Sequence, residues 1–115
     1  MKKTKMLKKN YEFRNILNRG KYYSGKYIEA FIKRNNKNIN LLGIAISSKA
    51  GKAIKRNYVK RLLRENYRKI EEKLDVGNSI VFLWKKKKDI KEADFKKVEK
   101  DLNKIIKDAN IFLEE

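Results

Sequence analysis

Between residues 49 and 69 the chain carries nine basic side chains, Lys49, Lys52, Lys55, Arg56, Lys60, Arg61, Arg64, Arg68 and Lys69, against one acid, Glu65. No Gly or Pro interrupts residues 52–73, so the stretch is predicted as one helix. On a wheel of about 100° per residue, with Arg56 at the origin, Lys60, Arg64, Asn57, Arg68 and Arg61 follow one another over roughly 140°. Val59, Leu62, Leu63 and Ile70 gather on the other side, at roughly 240° to 340°. One side of the helix packs and the other is a basic stripe. Such a stripe sets several guanidinium groups against successive phosphates, and Arg does this bidentately where Lys acts as a point charge. A merely solvated helix face usually mixes its signs. Here like-charged neighbours repel by a few tenths of a kcal/mol per pair, which a bound polyanion would offset.

The remaining composition narrows the chemistry. The 115 residues hold 32 Lys+Arg and 14 Asp+Glu, a formal net charge of +18, with no His, Cys or Pro. Without His or Cys there is no Cys/His zinc site, thiolate nucleophile, Ser-His-Asp triad or disulfide. An excess of positive charge points to a polyanionic partner, with RNA, DNA and anionic membrane surfaces as the candidates. A 41% hydrophobic fraction suffices for one core, so residues 1–115 are expected to form a single domain. The longest apolar run, residues 41–46, is far short of the roughly 20 residues needed to span a bilayer. The basic start, residues 1–9, lacks the apolar region of a secretion signal, and a cytoplasmic location is expected.

The elements that must carry the stripe follow from periodicity. Asn10 is placed to cap a helix with Phe13, Ile16 and Leu17 on one face, closed by Gly20 as a left-handed cap. Residues 27–32 read as a strand, with room for a further short strand just before it, and residues 35–38 as a polar turn. Residues 41–47 and 79–84 read as strands buried on both faces. Residues 85–88 form a basic turn, and Phe95, Val98, Leu102, Ile105, Ile106, Ala109 and Phe112 or Leu113 describe a long amphipathic helix. Trp84, Tyr11, Tyr22, Tyr23, Tyr58 and Tyr67 are assigned to core or rim packing, and Glu114 and Glu115 to no role. The fold class is α+β, a two-layer sandwich of a small sheet and helices. A helix-bearing connection of this length suits parallel neighbouring strands on either side of the basic helix.

The run from Gly51 to Glu65, with Lys52, Arg56, Asn57, Lys60, Arg61 and Arg64 in register, resembles the arginine-asparagine-arginine helix of the protein subunit of bacterial ribonuclease P. The likeness extends to Leu7, Lys8, Lys9, Asn10, Phe13 and Gly20, to residues 42–47 and to residues 80–83, so it covers nearly the whole chain. It implies a left-handed βαβ crossover around the basic helix, an exception to the usual hand. It also implies that an RNA subunit performs Mg²⁺-dependent hydrolysis at the 5′ end of mature tRNA. The protein then binds that catalytic RNA and the 5′ leader of precursor tRNA. No cofactor, membrane or small-molecule substrate is expected for the protein itself, and Mg²⁺ belongs to the RNA-catalysed reaction.

Carried onto this sequence, the resemblance gives Lys52, Arg56, Asn57, Lys60, Arg61, Arg64 and Arg68 to the catalytic RNA. It gives Phe13, Arg14, Leu17, Tyr27, Ser47, Ser48 and Lys49 to a leader-binding cleft between the first helix, the sheet and the edge of the basic helix. Tyr58 stands where the family has the second Arg of its motif, removing a charge and adding a ring. Leu17 and Ala30 stand where some members carry an aromatic residue. A stacked base is worth roughly 1–3 kcal/mol, so these replacements bear on leader preference.

Three other readings compete. A ribosomal or other structural RNA-binding protein would share the charge and the sandwich. A peripheral membrane protein would need exposed apolar residues opposite the basic stripe, where a core face is the simpler account. A protein-only nuclease would need clustered carboxylates for Mg²⁺, and acids such as Glu71, Glu72, Glu92 and Asp94 are expected to be scattered on the surface.

Overall fold

The computed structural model describes residues 2–113; Glu114 and Glu115 lie outside the described residues. Five strands form one mixed sheet: β1 (Thr4–Met6), β2 (Lys21–Ser24), β3 (Ile28–Arg34), β4 (Asn40–Ala45) and β5 (Asn78–Trp84). Their order is β1-β4-β5-β3-β2. Strand β4 runs parallel to both β1 and β5, and β3 is antiparallel to β5 and β2. Three helices accompany the sheet, α1 (Asn10–Arg19), α2 (Ala53–Ile70) and α3 (Phe95–Ala109). Helix α2 lies in the connection between the parallel strands β4 and β5.

Alternation along the strands divides the molecule. Ile28, Ala30 and Ile32 of β3, Leu42 of β4, and Ile80, Phe82 and Trp84 of β5 pack with Val59, Leu62, Leu63 and Tyr67 of α2 and Val98, Leu102, Ile105 and Ile106 of α3. The neighbours in sequence point to the opposite face: Phe31, Leu41, Val81 and Leu83 gather with Leu7, Phe13, Ile16 and Leu17. Period-two alternation makes this separation obligatory, because one backbone register serves both faces. The sheet with α2 and α3 forms the main sandwich, and α1 is a partial cover on the far face.

Several local expectations are corrected. Asn10 is the first helical residue rather than the cap; the chain enters α1 at Lys9, whose N–H donates to the Glu12 carboxylate at 3.3 Å. Gly20 is extended, at φ −74° and ψ 157°, because the chain turns straight into β2 while its N–H bonds Ile16 O at 2.7 Å. Strand β1 has no counterpart in the sequence reading, since three residues among lysines show no period. It is held by pairing with β4 and by a 2.7 Å hydrogen bond between Thr4 Oγ1 and the Tyr67 hydroxyl. Helix α2 stops at Ile70 and tightens into a 3-10 turn (Glu71–Lys73) that buries Glu71, an acid expected on the surface. Helix α3 ends earlier than its apolar period, because Asn110 adopts a left-handed cap at φ 56° and sends Phe112 into a bridge with Leu74.

Candidate nucleic-acid interface

Helix α2 buries Val59, Leu62, Leu63, Asn66 and Tyr67 and leaves Asn57, Arg61 and Arg68 exposed and Lys60 and Arg64 half-buried. Asn66 turns its amide inward, donating to Leu62 O at 3.0 Å and to Phe95 O at 3.3 Å. Arg56 is half-buried, with its Nε shielded from solvent and unpartnered. Among the described residues Arg61 is the member of the stripe with an acid neighbour, Glu65 at 3.7 Å. Its guanidinium also lies 5.4 Å from the centroid of the Tyr58 ring. Tyr58 is thus a half-buried platform beneath a stripe Arg, on the side of α2 that meets the core. Lys52 is exposed just before the helix, and its carbonyl accepts the Arg56 N–H at 3.0 Å.

On the flank of α2 next to the sheet edge, the Tyr67 hydroxyl reaches Thr4 in β1, and Lys3 Nζ donates to Glu72 O at 3.0 Å. Burial pushes the Tyr67 phenol up to about 12, against a smaller opposing effect of its hydrogen bond with Thr4. The ring therefore stays neutral wherever RNA chemistry is measured and serves as a strut between the basic helix and the sheet.

The far face of the sheet is half open. Phe13 and Leu17 of α1 are half-buried against Val81, Leu83 and Phe31, while Arg14 is exposed beside them on α1. The ring of Phe13 lies directly on Gly43: a methyl built there falls 2.5 Å from Phe13 Cε1. Only a residue without a side chain lets an aromatic lie on the strand at this point. Ala45 pairs in register with Leu83, so the loop bearing Ser47, Ser48 and Lys49 leaves the sheet at the end of this open face and leads into α2. All three are exposed, and Ser47 Oγ accepts the Lys49 N–H at 3.2 Å to shape the turn. The cleft and the basic stripe adjoin across residues 47–52.

Two residues assigned to this face belong elsewhere. Tyr27 is buried on the α2/α3 face, stacked on Trp84 with centroids 5.5 Å apart, and does not meet Phe13. Ala30 is fully buried on that same face, so it leaves no gap in the cleft. The aromatic on the open face is its neighbour Phe31, which meets Tyr22 edge-on at 5.3 Å. Tyr22 is 47% exposed and donates its hydroxyl proton to Glu29, a bond that raises its pKa, helped by partial burial. Strict alternation applied to residues 28–34 would have found Phe31; reading the segment as one apolar run hid the parity.

Among the described residues no three acidic side chains are grouped to hold a metal ion. No helix among them is long and apolar enough to cross a membrane.

A mixed sheet with a parallel βαβ unit, an acid-poor basic helix and an adjoining half-open face with aromatic residues defines an RNA-binding α+β protein. The family profile described as Ribonuclease P matches residues 1–110. The ribonuclease P protein component of Clostridium botulinum (strain Langeland) is 39% identical over 113 residues, 97% of this chain and 99% of that relative. The structure resembles the RNase P protein from Thermotoga maritima, with TM-score 0.80, 28% identity and coverage of 96% of this chain and 99% of that one. It likewise resembles the Staphylococcus aureus RNase P protein, with TM-score 0.80, 27% identity and coverage of 94% and 97%. The chain belongs to the ribonuclease P protein family, the protein components of bacterial ribonuclease P, and is a subunit of an endoribonuclease that processes tRNA 5′ ends. Its partner is the ribonuclease P RNA.

Proposed function

We propose that residues 1–115 act as one RNA-binding domain that positions two RNAs at once while the ribonuclease P RNA carries out the hydrolysis. Lys52, Arg56, Asn57, Lys60, Arg61, Arg64 and Arg68 contact phosphates of the catalytic RNA. The half-open face receives the 5′ leader of precursor tRNA: Phe13, Leu17 and the newly placed Phe31 and Tyr22 offer stacking surface, and Arg14, Ser47, Ser48 and Lys49 offer polar contacts. The observation that carries this reading is the continuity of the acid-poor stripe with the aromatic face across residues 47–52. Phosphate contacts supply affinity without sequence information, and stacking tolerates any base, which suits a subunit that must accept many precursors.

The protein moves no proton and holds no reacting atom in this scheme. Mg²⁺, required by the reaction, supplies charge neutralisation at the phosphodiester within the RNA. The site of action is the cytoplasm, where precursor tRNA is made.

The experiment is cleavage of a leader-bearing precursor tRNA at low Mg²⁺ with a bacterial ribonuclease P RNA alone, with the protein alone, and with both. Cleavage is expected to be strong only in the mixture. Arg64→Ala should weaken RNA binding by about tenfold, from the loss of a charged contact, and reduce the salt slope by about 1. Unchanged rescue by a protein whose α2 stripe is stripped of charge overturns the reading, and cleavage by the protein alone would move the chemistry onto its carboxylates.

A further inference from the structure

A second set of lysines converges on Tyr27, away from both the stripe and the open face. Lys26 Nζ lies 5.4 Å from the centroid of its ring, and Lys88 Nζ and Lys97 Nζ each lie 5.6 Å from it. These ammonium groups come from three different elements: the β2–β3 turn, the turn after β5 and the first turn of α3. Each element is fastened from below. Asp101 of α3 turns its buried carboxylate to the backbone N–H groups of Lys26, Tyr27 and Ile28, at 3.0, 2.7 and 2.9 Å. Gly25 sits so close to Asp101 that no side chain fits between them. Trp84, stacked on Tyr27, donates its indole N–H to Lys88 O at 2.8 Å. Asp94 caps α3 by accepting the Lys97 N–H at 2.8 Å.

The nearest buried acid is thereby committed to backbone and does not neutralise the ammonium groups. Lys97 has an exposed neighbour in Asp94, at 3.9 Å, and donates to Glu92 O at 3.2 Å; Lys26 and Lys88 form no ion pair among the described residues. The Tyr27 hydroxyl takes part in no side-chain hydrogen bond among the described residues, in a residue that is 5% exposed overall. Ile28 pairs with Trp84 and Ala45 with Leu83, so this cluster lies at the end of the sheet from which the chain leaves β4 toward α2. Residues 85–88 add Lys85, Lys86 and Lys87 beside it.

We propose that Tyr27, Lys26, Lys88 and Lys97 form a second phosphate-binding site, which grips the RNA backbone at the sheet end beyond the α2 stripe. Three ammonium groups around the Tyr27 ring, on elements whose backbones are anchored, offer three charges to a phosphodiester, with the phenol as a neutral donor. The Tyr27 ring attracts each ammonium group by cation–π contact, and a phosphodiester lying among them would offset their mutual repulsion. The inference rests on the proposed function for the identity of the RNA, and it assigns Tyr27 a contact different from the leader cleft.

The phosphodiester can come from the catalytic RNA or from precursor tRNA, so the test has both arms. The K26Q/K88Q/K97Q variant is titrated with ribonuclease P RNA, and its reconstituted holoenzyme with precursor tRNA, each over a range of salt. We expect about a tenfold loss of affinity and a salt slope lower by about 1 to 2 in at least one arm. The arm that responds identifies the RNA. Tyr27→Phe, which keeps the stack on Trp84, should lose about threefold with an unchanged slope, and K26R/K88R/K97R should retain wild-type binding. Unchanged affinity and slope of the glutamine variant in both arms overturns the site. An Arg61→Ala/Arg64→Ala protein titrated in parallel separates the two ideas: loss there alone leaves the proposed function standing, and loss at the lysines alone leaves the second site standing.

Discussion

The two faces of the sheet are built from alternate residues of the same strands and do different work. On the α2/α3 face Ile28, Ala30, Leu42, Ile80 and Phe82 are fully buried under two amphipathic helices. On the α1 face Phe31, Leu41 and Leu83 remain half-buried under one short helix. The closed face is a sealed core, and the half-open face leaves apolar area accessible. An apolar surface left partly open on a strongly charged protein marks a place where another molecule completes the burial.

Substitutions that separate stability from RNA binding sharpen that contrast. Leu63→Ala removes a fully buried side chain beneath the basic stripe and should destabilise the fold by about 2–5 kcal/mol, read by urea unfolding. Leader discrimination by the molecules that remain folded should be unchanged. If instead discrimination between leader-bearing and leaderless substrates collapses, the closed face takes part in recognition and the contrast fails.

A smaller effect belongs to pH. Because Tyr67 is held protonated to about 12 while the unfolded chain ionises near the ordinary value of 10.0, folded molecules bind more protons between those limits. Stability should be unaffected below about pH 10 and fall by about 2–3 kcal/mol as pH rises toward 12. Tyr67→Phe should lose that alkaline fall in a pH-resolved denaturation series, at a constant cost of about 1 kcal/mol for the hydrogen bond with Thr4.

A modest stability change is expected on the open face. Gly43→Ala places a methyl against the Phe13 ring and should destabilise by about 1–3 kcal/mol as the ring shifts. The KM ratio between leaderless and leader-bearing precursors should fall by severalfold, while affinity for the catalytic RNA holds. An unchanged ratio would place the leader away from Phe13.

Much of this was legible from residue types. The basic helix declares itself because its period of 3.6 is uninterrupted and its charges lack interleaved acids, and Val59, Leu62 and Leu63 are indeed its buried side. Strand β5 was equally clear, since a central strand covered on both faces reads as a continuous apolar run. That same property hid the parity of β3, where Ala30 and Phe31 look alike in hydropathy and differ only in which face they meet. Tyr27 shows the limit most plainly: the family resemblance gives it to the cleft, yet Asp101, distant in sequence, ties its backbone to α3, and its ring stacks on Trp84 on the other face.

Composition and periodicity were enough to establish a basic, His- and Cys-free α+β chain with one helix face suited to a polyanion, because charge sign and local period are properties of the chain itself. Which side chains share a face was settled by long-range contacts, the Tyr27–Trp84 stack, the Asp101 latch, the seat of Phe13 on Gly43 and the pairing of β1 with β4. Those contacts join segments that no local pattern connects, so the lysines around Tyr27 become a cluster only after the chain has folded.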